Sequence, residues 1–275
     1  MSLVQSRRFE APMRAVIIAC LIAVLGACAS TPEDYAGKTA AELYADAQRS
    51  VRNGNWEVAV KSLRRVQARF PFDPYALQAH LDLINVHQQQ RDPEQVVAEA
   101  DRFIKENPRH ARVDYAYYMR GLAYFPPEPF VMNDWFSVDQ AGFDVTPAAK
   151  SFQYFRRLVE TYPNSDYAPD ARARMVWLQN LLSRHELHVA KWYMRRGAFL
   201  AAAQRATDLL RDYPQSDSQA EALEMMVLAY RLLGLTQLAD DAQKVLDLNF
   251  PGHQKTLEYQ PRNERWIDWI KDIFS

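Results

Sequence analysis

Residues 196–214 read RGAFLAAAQRATDLLRDYP. Gly197 is followed five positions on by a small residue, Ala202, and twelve after that by Pro214. The same two intervals recur at Gly54, Ala59 and Pro71, and at Gly234, Ala239 and Pro251. Each mark has a mechanical reason. Glycine turns one helix into the next, alanine lets two helices approach, and proline ends the second helix. With Pro108 and Pro163, the five closing prolines stand 37, 55, 51 and 37 residues apart. Periods of this size signal a solenoid, in which each repeat buries its apolar face only against its neighbours.

The intervals match the tetratricopeptide pattern, with Gly or Asn near position 15, Ala at 20 and Pro at 32. No strand alternation competes with it. The chain reads as all-α, a tetratricopeptide-like helical solenoid of about five helix-pair repeats. Helices are predicted at 41–52 and 56–69, then at 75–90 and 93–106, with Pro93 in a first turn. Repeat three opens with Tyr115 to Tyr124 and places Gly121 at position 8, where helices cross closely. An interruption from Pro126 to about Phe143 then precedes a helix at 147–162. An extra helix at 167–183 accounts for the 51-residue spacing, and repeat five takes 217–232 and 235–249. The domain organisation is thus N-terminal repeats over 41–163, with an insert near 126–146, and C-terminal repeats over 164–251.

Residues 1–27 do not belong to that fold. Arg7, Arg8 and Arg14 precede an uncharged run from Ala15 to Ala27. Thirteen residues are too few for a bilayer, which needs about 20, but they suit the apolar core of a secretion signal. Either Met1 or Met13 serves as a start. The run ends in Leu25-Gly26-Ala27-Cys28, which resembles the lipobox of bacterial lipoproteins. That resemblance implies cleavage before Cys28 and lipidation of its thiol and new amine, a stable anchor when several acyl chains are attached. Ala29, in place of an aspartate, points to the outer membrane. Residues 28–40 read as a lipidated tether. Cys20 leaves with the leader, so no internal disulfide is possible. The leader takes three arginines and one glutamate with it, leaving 30 basic and 33 acidic side chains. A net charge of −3 does not describe a nucleic-acid binder.

The tail at 252–275 is amphipathic. From Asn263 to Phe274 it puts Trp266, Ile267, Ile270, Ile273 and Phe274 on one side of a helix. Both a capping helix and a partner-binding helix fit that pattern.

Little in the chain carries chemistry. In His185-Glu186-Leu187-His188 the histidines are three apart, whereas a zincin needs four. His80 and His87 fall at positions 4 and 11 of repeat two, which are packing positions. With no nucleophile elbow or phosphate loop, the chain reads as a protein without enzymatic activity, metal or cofactor.

Two surface features remain. Between Arg172 and Arg211 stand eight basic residues, Arg172, Arg174, Arg184, Lys191, Arg195, Arg196, Arg205 and Arg211. Only Glu186 and Asp208 oppose them, a local +6. The stretch reads as a docking face for an acidic partner, or as ordinary solvated helix faces. The second feature is the groove that tetratricopeptide geometry lines with positions 2, 5, 9 and 12–13 of each first helix. Its N-terminal half offers Tyr44, Gln48, Gln78, Asn85, Gln89, Tyr115, Tyr118 and Phe125. Aromatic and uncharged amide side chains suit an extended peptide, although some of these rings could instead pack between helices.

Several phrases carry a resemblance: Asn53-Gly54-Asn55-Trp56, Phe70-Pro71-Phe72, Tyr118-Met119-Arg120-Gly121-Leu122, Phe136-Ser137-Val138-Asp139, Tyr162-Pro163-Asn164-Ser165 and Arg196-Gly197-Ala198-Phe199. With the leader, the five repeats, the interruption and the extra helix, they resemble the BamD family of lipoproteins of the β-barrel assembly machinery. The likeness covers about 40–250 and the leader. It departs at Phe143-Asp144-Val145-Thr146-Pro147, where the family commonly has Arg-Asp-Pro, and in the tail. The resemblance implies a periplasmic scaffold anchored in the outer membrane. Its C-terminal repeats would hold the periplasmic domains of BamA and a further lipoprotein, BamC. Its N-terminal repeats would receive C-terminal signals of unfolded outer membrane proteins. The rival expectation is a cell-wall-associated envelope lipoprotein acting in DNA uptake or envelope integrity.

Overall fold

A computed structural model describes residues 37–126 and 140–259 of the 275. The described residues form ten α-helices: α1 (Ala40–Arg52), α2 (Trp56–Arg69), α3 (Pro74–Gln89), α4 (Pro93–Glu106), α5 (Val113–Ala123), α6 (Thr146–Thr161), α7 (Ala168–Arg195), α8 (Phe199–Asp212), α9 (Gln219–Leu232) and α10 (Thr236–Asn249). Each packs on the next, and α1 on α3, α3 on α5 and α7 on α9 touch more lightly. Nearest-neighbour packing of this kind is what makes a solenoid.

The spacing marks act as expected. Gly54, Gly197 and Gly234 have φ of 70°, 74° and 73°, the left-handed conformation that turns α1 into α2, α7 into α8 and α9 into α10. In repeat two the same place falls to Arg91, at φ 56°. Ala59, Ala202 and Ala239 are buried where helices touch. Phe70, Asn107, Tyr162, Tyr213 and Phe250 each precede a closing proline and cap their helix at φ between −128° and −133°. A proline pushes the residue before it out of the helical region, so these helices end there. Starts are marked too. Thr39 and Glu42 form a capping box on α1, and Asp73 and Asp92 cap α3 and α4 ahead of Pro74 and Pro93.

The core is layered between helices, with Phe103, Phe155, Leu63, Leu83 and Leu178 fully enclosed. Each such side chain contributes roughly 1.5–3 kcal/mol by leaving water. Gly121 sits at the predicted close crossing. A Cβ there would lie 2.4 Å from the Phe155 ring on α6, and Ser151 Oγ donates to the Gly121 carbonyl at 2.8 Å.

One element differs from expectation. The extra helix predicted over 167–183 does not stop at Ser183 but runs to Arg195 as one helix of 28 residues. No glycine or proline interrupts 170–196, and Leu178, Leu181, Leu182, Leu187, Ala190 and Met194 keep one side buried throughout. At 1.5 Å per residue it is about 42 Å long, and it serves repeat three with its first half and repeat four with its second. The interruption of repeat three re-enters at a short 3-10 turn, Gln140–Gly142, whose Ala141 is buried. His185 Nδ1 donates to the Ala141 carbonyl at 2.8 Å. That bond gives the histidine of the HELH stretch a structural duty.

α10 and its N-cap keep apolar side chains in water: Leu235, Leu238, Val245 and Leu248 are exposed. The tail helix expected at 263–274 lies outside the described residues, as do Cys28, the leader and most of the tether.

Candidate functional site

The groove residues divide into two groups. Tyr44 and Gln48 on α1 and Gln78 on α3 converge on Asp82, one turn along α3. Tyr44 Oη donates to its carboxylate at 2.6 Å, Gln48 Nε2 at 2.5 Å and Gln78 Nε2 at 3.0 Å. Tyr44 also meets the Tyr75 ring at 5.2 Å. Burial and Asp82 together push the Tyr44 phenol well above its ordinary range, so it stays a hydrogen-bond donor. Asn85 and Gln89 lie farther along α3 and are exposed. This half of the lining therefore has a carboxylate at its centre. The positional rule missed Asp82 because it stands one residue beyond position 5.

Tyr115, Tyr118 and Phe125 are built into the junction of α5, α6 and α7. Tyr118 stacks on Tyr167 at 4.9 Å and donates to Asp170 at 2.6 Å. Tyr115 approaches the same Tyr167 at 5.8 Å. Phe125 packs against Trp177 at 5.3 Å and Phe155 at 6.2 Å, with the Arg174 guanidinium 4.6 Å from its ring centre. Burial lifts the Tyr115 and Tyr118 phenols to about 12. Tyr118 and Phe125 join the cluster that locks the long helix to repeat three, and Tyr115 packs on the core between α3, α4 and α5, contacts that position counting cannot distinguish from a free groove wall.

The basic stretch is largely paired in three dimensions. Arg184 meets Asp217 at 3.2 Å, Lys191 meets Glu221 at 2.5 Å, and Arg205 meets Glu186 at 3.1 Å. Arg174 meets Asp170 at 2.6 Å, and Arg211 holds both Asp208 and Asp212. Arg172 bonds the Pro163 carbonyl at 3.0 Å. Asp170, Asp212, Asp217 and Glu221 all lie outside the interval that yields +6. Arg195 and Arg196, at the exposed end of α7, have no carboxylate partner among the described residues; Arg196 lies 4.0 Å from the Trp192 ring centre. The unpaired positive charge is concentrated there.

His80 and His87 are buried, as their packing positions require. His80 Nε2 bonds the Glu99 carbonyl oxygen at 3.0 Å. The buried Glu99 carboxylate joins Arg64 of α2 at 3.2 Å and Arg102 at 2.9 Å. Burial depresses the His87 pKa and keeps that ring neutral. Among the described residues no three His, Cys, Asp or Glu side chains are placed to hold a metal ion.

A second groove feature went unpredicted. Beyond α10 the chain turns at Phe250–His253 and runs back across α9 to Tyr259. Glu224 of α9 receives it: His253 Nε2 at 2.9 Å, Thr256 N at 2.8 Å, Thr256 Oγ1 at 3.1 Å and Leu257 N at 2.8 Å. Leu257 and Tyr259 pack on the core formed by α7, α8 and α9.

Comparison with known proteins places this architecture. The model of the family YfiO, "Outer membrane lipoprotein", matches residues 36–246. The outer membrane protein assembly factor BamD of Vibrio cholerae is 34% identical over 228 residues, 83% of this chain and 95% of that one. BamD of Neisseria meningitidis serogroup A is 37% identical over 226 residues, 82% of this chain and 85% of that one. Solved structures of a MamA protein and of PilW, a type IV pilus biogenesis factor, cover 80% and 79% of this chain. Both are 14% identical, at TM-scores of only 0.31 and 0.33, so the fold assignment rests on the helix pairs themselves. The chain belongs to the YfiO family of outer membrane lipoproteins, the family of the BamD assembly factors.

Proposed function

We propose that this protein is an outer-membrane-anchored periplasmic scaffold of the β-barrel assembly machinery, held by lipid on Cys28 and without catalytic activity of its own. Its C-terminal repeats dock the periplasmic domains of BamA, and a BamC-like lipoprotein is a further partner. Its N-terminal groove receives the extended C-terminal segments of unfolded outer membrane proteins. The names borne by relatives over most of their length support the assembly role.

The observation that carries the groove reading is the convergence of Tyr44, Gln48 and Gln78 on Asp82, beside the exposed amides Asn85 and Gln89. An extended strand presents unpaired N–H and C=O groups along both edges, and amides and a carboxylate can meet them while Tyr44 and Tyr75 meet a terminal ring. For docking, Arg184, Lys191, Arg205 and Arg211 are already engaged, so Arg195 and Arg196 supply the charge for an acidic partner surface.

Pull-down from solubilised outer membranes tests the reading. Wild type should retain BamA, and Arg195→Glu with Arg196→Glu should cut the yield at least tenfold, with helical circular dichroism unchanged. Association should also slow steeply with salt. Retention on peptidoglycan without BamA would favour the envelope-integrity role instead.

A further inference from the structure

Glu224 stands ten residues before Gly234, as Tyr44 stands ten before Gly54. The two share a register position on the groove side of a first helix. Glu224 is only 5% exposed, and a carboxylate so buried must be partnered. All four of its hydrogen bonds come from 253–259, and two of them are the successive backbone N–H groups of Thr256 and Leu257. Leu257 and Tyr259 then turn into the core of α7, α8 and α9, with Tyr259 edge-on to Phe199 at 5.1 Å, while Glu258 between them is exposed.

This is the way a groove reads an extended peptide. Backbone groups are held by a polar clamp, and alternate side chains enter apolar sites. Between its anchors the strap faces water. Gln254, Lys255 and Thr256 are exposed, and the segment has no regular secondary structure of its own. We propose that the groove of repeat five is a second peptide-binding site, occupied in this structure by the chain's own residues 253–259. It takes extended segments in which an apolar residue is followed two positions later by an aromatic one. An occupant tethered through Phe250–Gly252 has an effective concentration on the order of millimolar. A competing segment must therefore displace the strap, and this makes the strap an internal inhibitor of its own groove.

The probe is a fluorescein-labelled peptide of residues 251–259, PGHQKTLEY, titrated into the full chain and followed by anisotropy. Replacing both apolar anchors, Leu257→Asp with Tyr259→Asp, frees the groove. That variant should bind the probe at least tenfold more tightly than wild type. Adding Glu224→Gln on the same background should remove most of the gain. Equal affinity for wild type and the released variant, or no binding to a released variant that keeps its helical circular dichroism, overturns the proposal. A second measurement leaves the chain unaltered. Amide exchange at Thr256 and Leu257 should accelerate several-fold when the unlabelled peptide is in large excess. If the released variant does not fold, this measurement decides: unchanged exchange means that the strap is a fixed part of the fold.

Discussion

In the N-terminal repeats the groove carboxylate, Asp82, is satisfied by side chains of the groove itself. In the C-terminal repeats the groove carboxylate, Glu224, is satisfied by backbone and side-chain groups arriving from beyond α10. Repeats one and five share a frame of a left-handed glycine, a buried alanine and a closing proline, while repeat two, which carries Asp82, has Arg91 at the left-handed turn. What differs is the depth of the carboxylate. Asp82 is half-buried, with partners that can turn to water, whereas Glu224 is buried. A repeat frame thus fixes where a groove lies, and single substitutions on it decide whether that groove meets solvent or folds its own chain into place.

The largest effect expected from that comparison lies at Glu224. Glu224→Ala strands two backbone N–H groups and should cost about 2–3 kcal/mol, the scale of hydrogen bonds to a charged group. Asp82→Ala should cost less than about 1 kcal/mol, because Tyr44, Gln48 and Gln78 regain water. Urea unfolding of the two variants measures the gap, and equal losses would erase the distinction. The shared frame gives the next prediction. Ala59→Leu and Ala202→Leu overpack equivalent crossings, and each should lose roughly 1–3 kcal/mol. A thermal midpoint within error of wild type for either one would put that repeat out of register.

A pH effect is expected to be smaller. Burial by itself would raise the Glu224 carboxyl, but hydrogen bonds from the Leu257 N–H, His253 and Thr256 outweigh it and hold the group below its ordinary value of 4.5. A depressed folded pKa contributes stability that is present above the unfolded value and lost as pH falls through the folded one. Between pH 5.5 and pH 3 wild type should therefore lose more thermal stability than Glu224→Gln does. Parallel losses would mean that the clamp contributes no ionised-state preference.

The frame was legible in the sequence because glycine, alanine and proline act locally, through φ, size and a missing N–H. Gly121 was legible for the same reason. The continuation of α7 past Ser183 was missed because repeat spacing suggested a boundary where no breaking residue stands. The +6 stretch was misleading as a count. Asp217 and Glu221 stand at the start of α9, about thirty residues from Arg184 and Lys191 of α7, and only folding brings them together. Glu224 gave no warning, since its partners lie about thirty residues on and two of the four are backbone N–H groups, which leave no mark in composition.

The most direct test of the account maps where an outer-membrane-protein peptide lands on the full chain. The peptide is a synthetic C-terminal strand carrying a benzophenone in place of its final aromatic ring, and its crosslinks are located by mass spectrometry. On wild type they should fall on α1 and α3, around Tyr44, Asn85 and Gln89, and not on α9, whose groove the strap occupies. Crosslinks confined to α9 and the second half of α7, with none on α1 or α3, would contradict it.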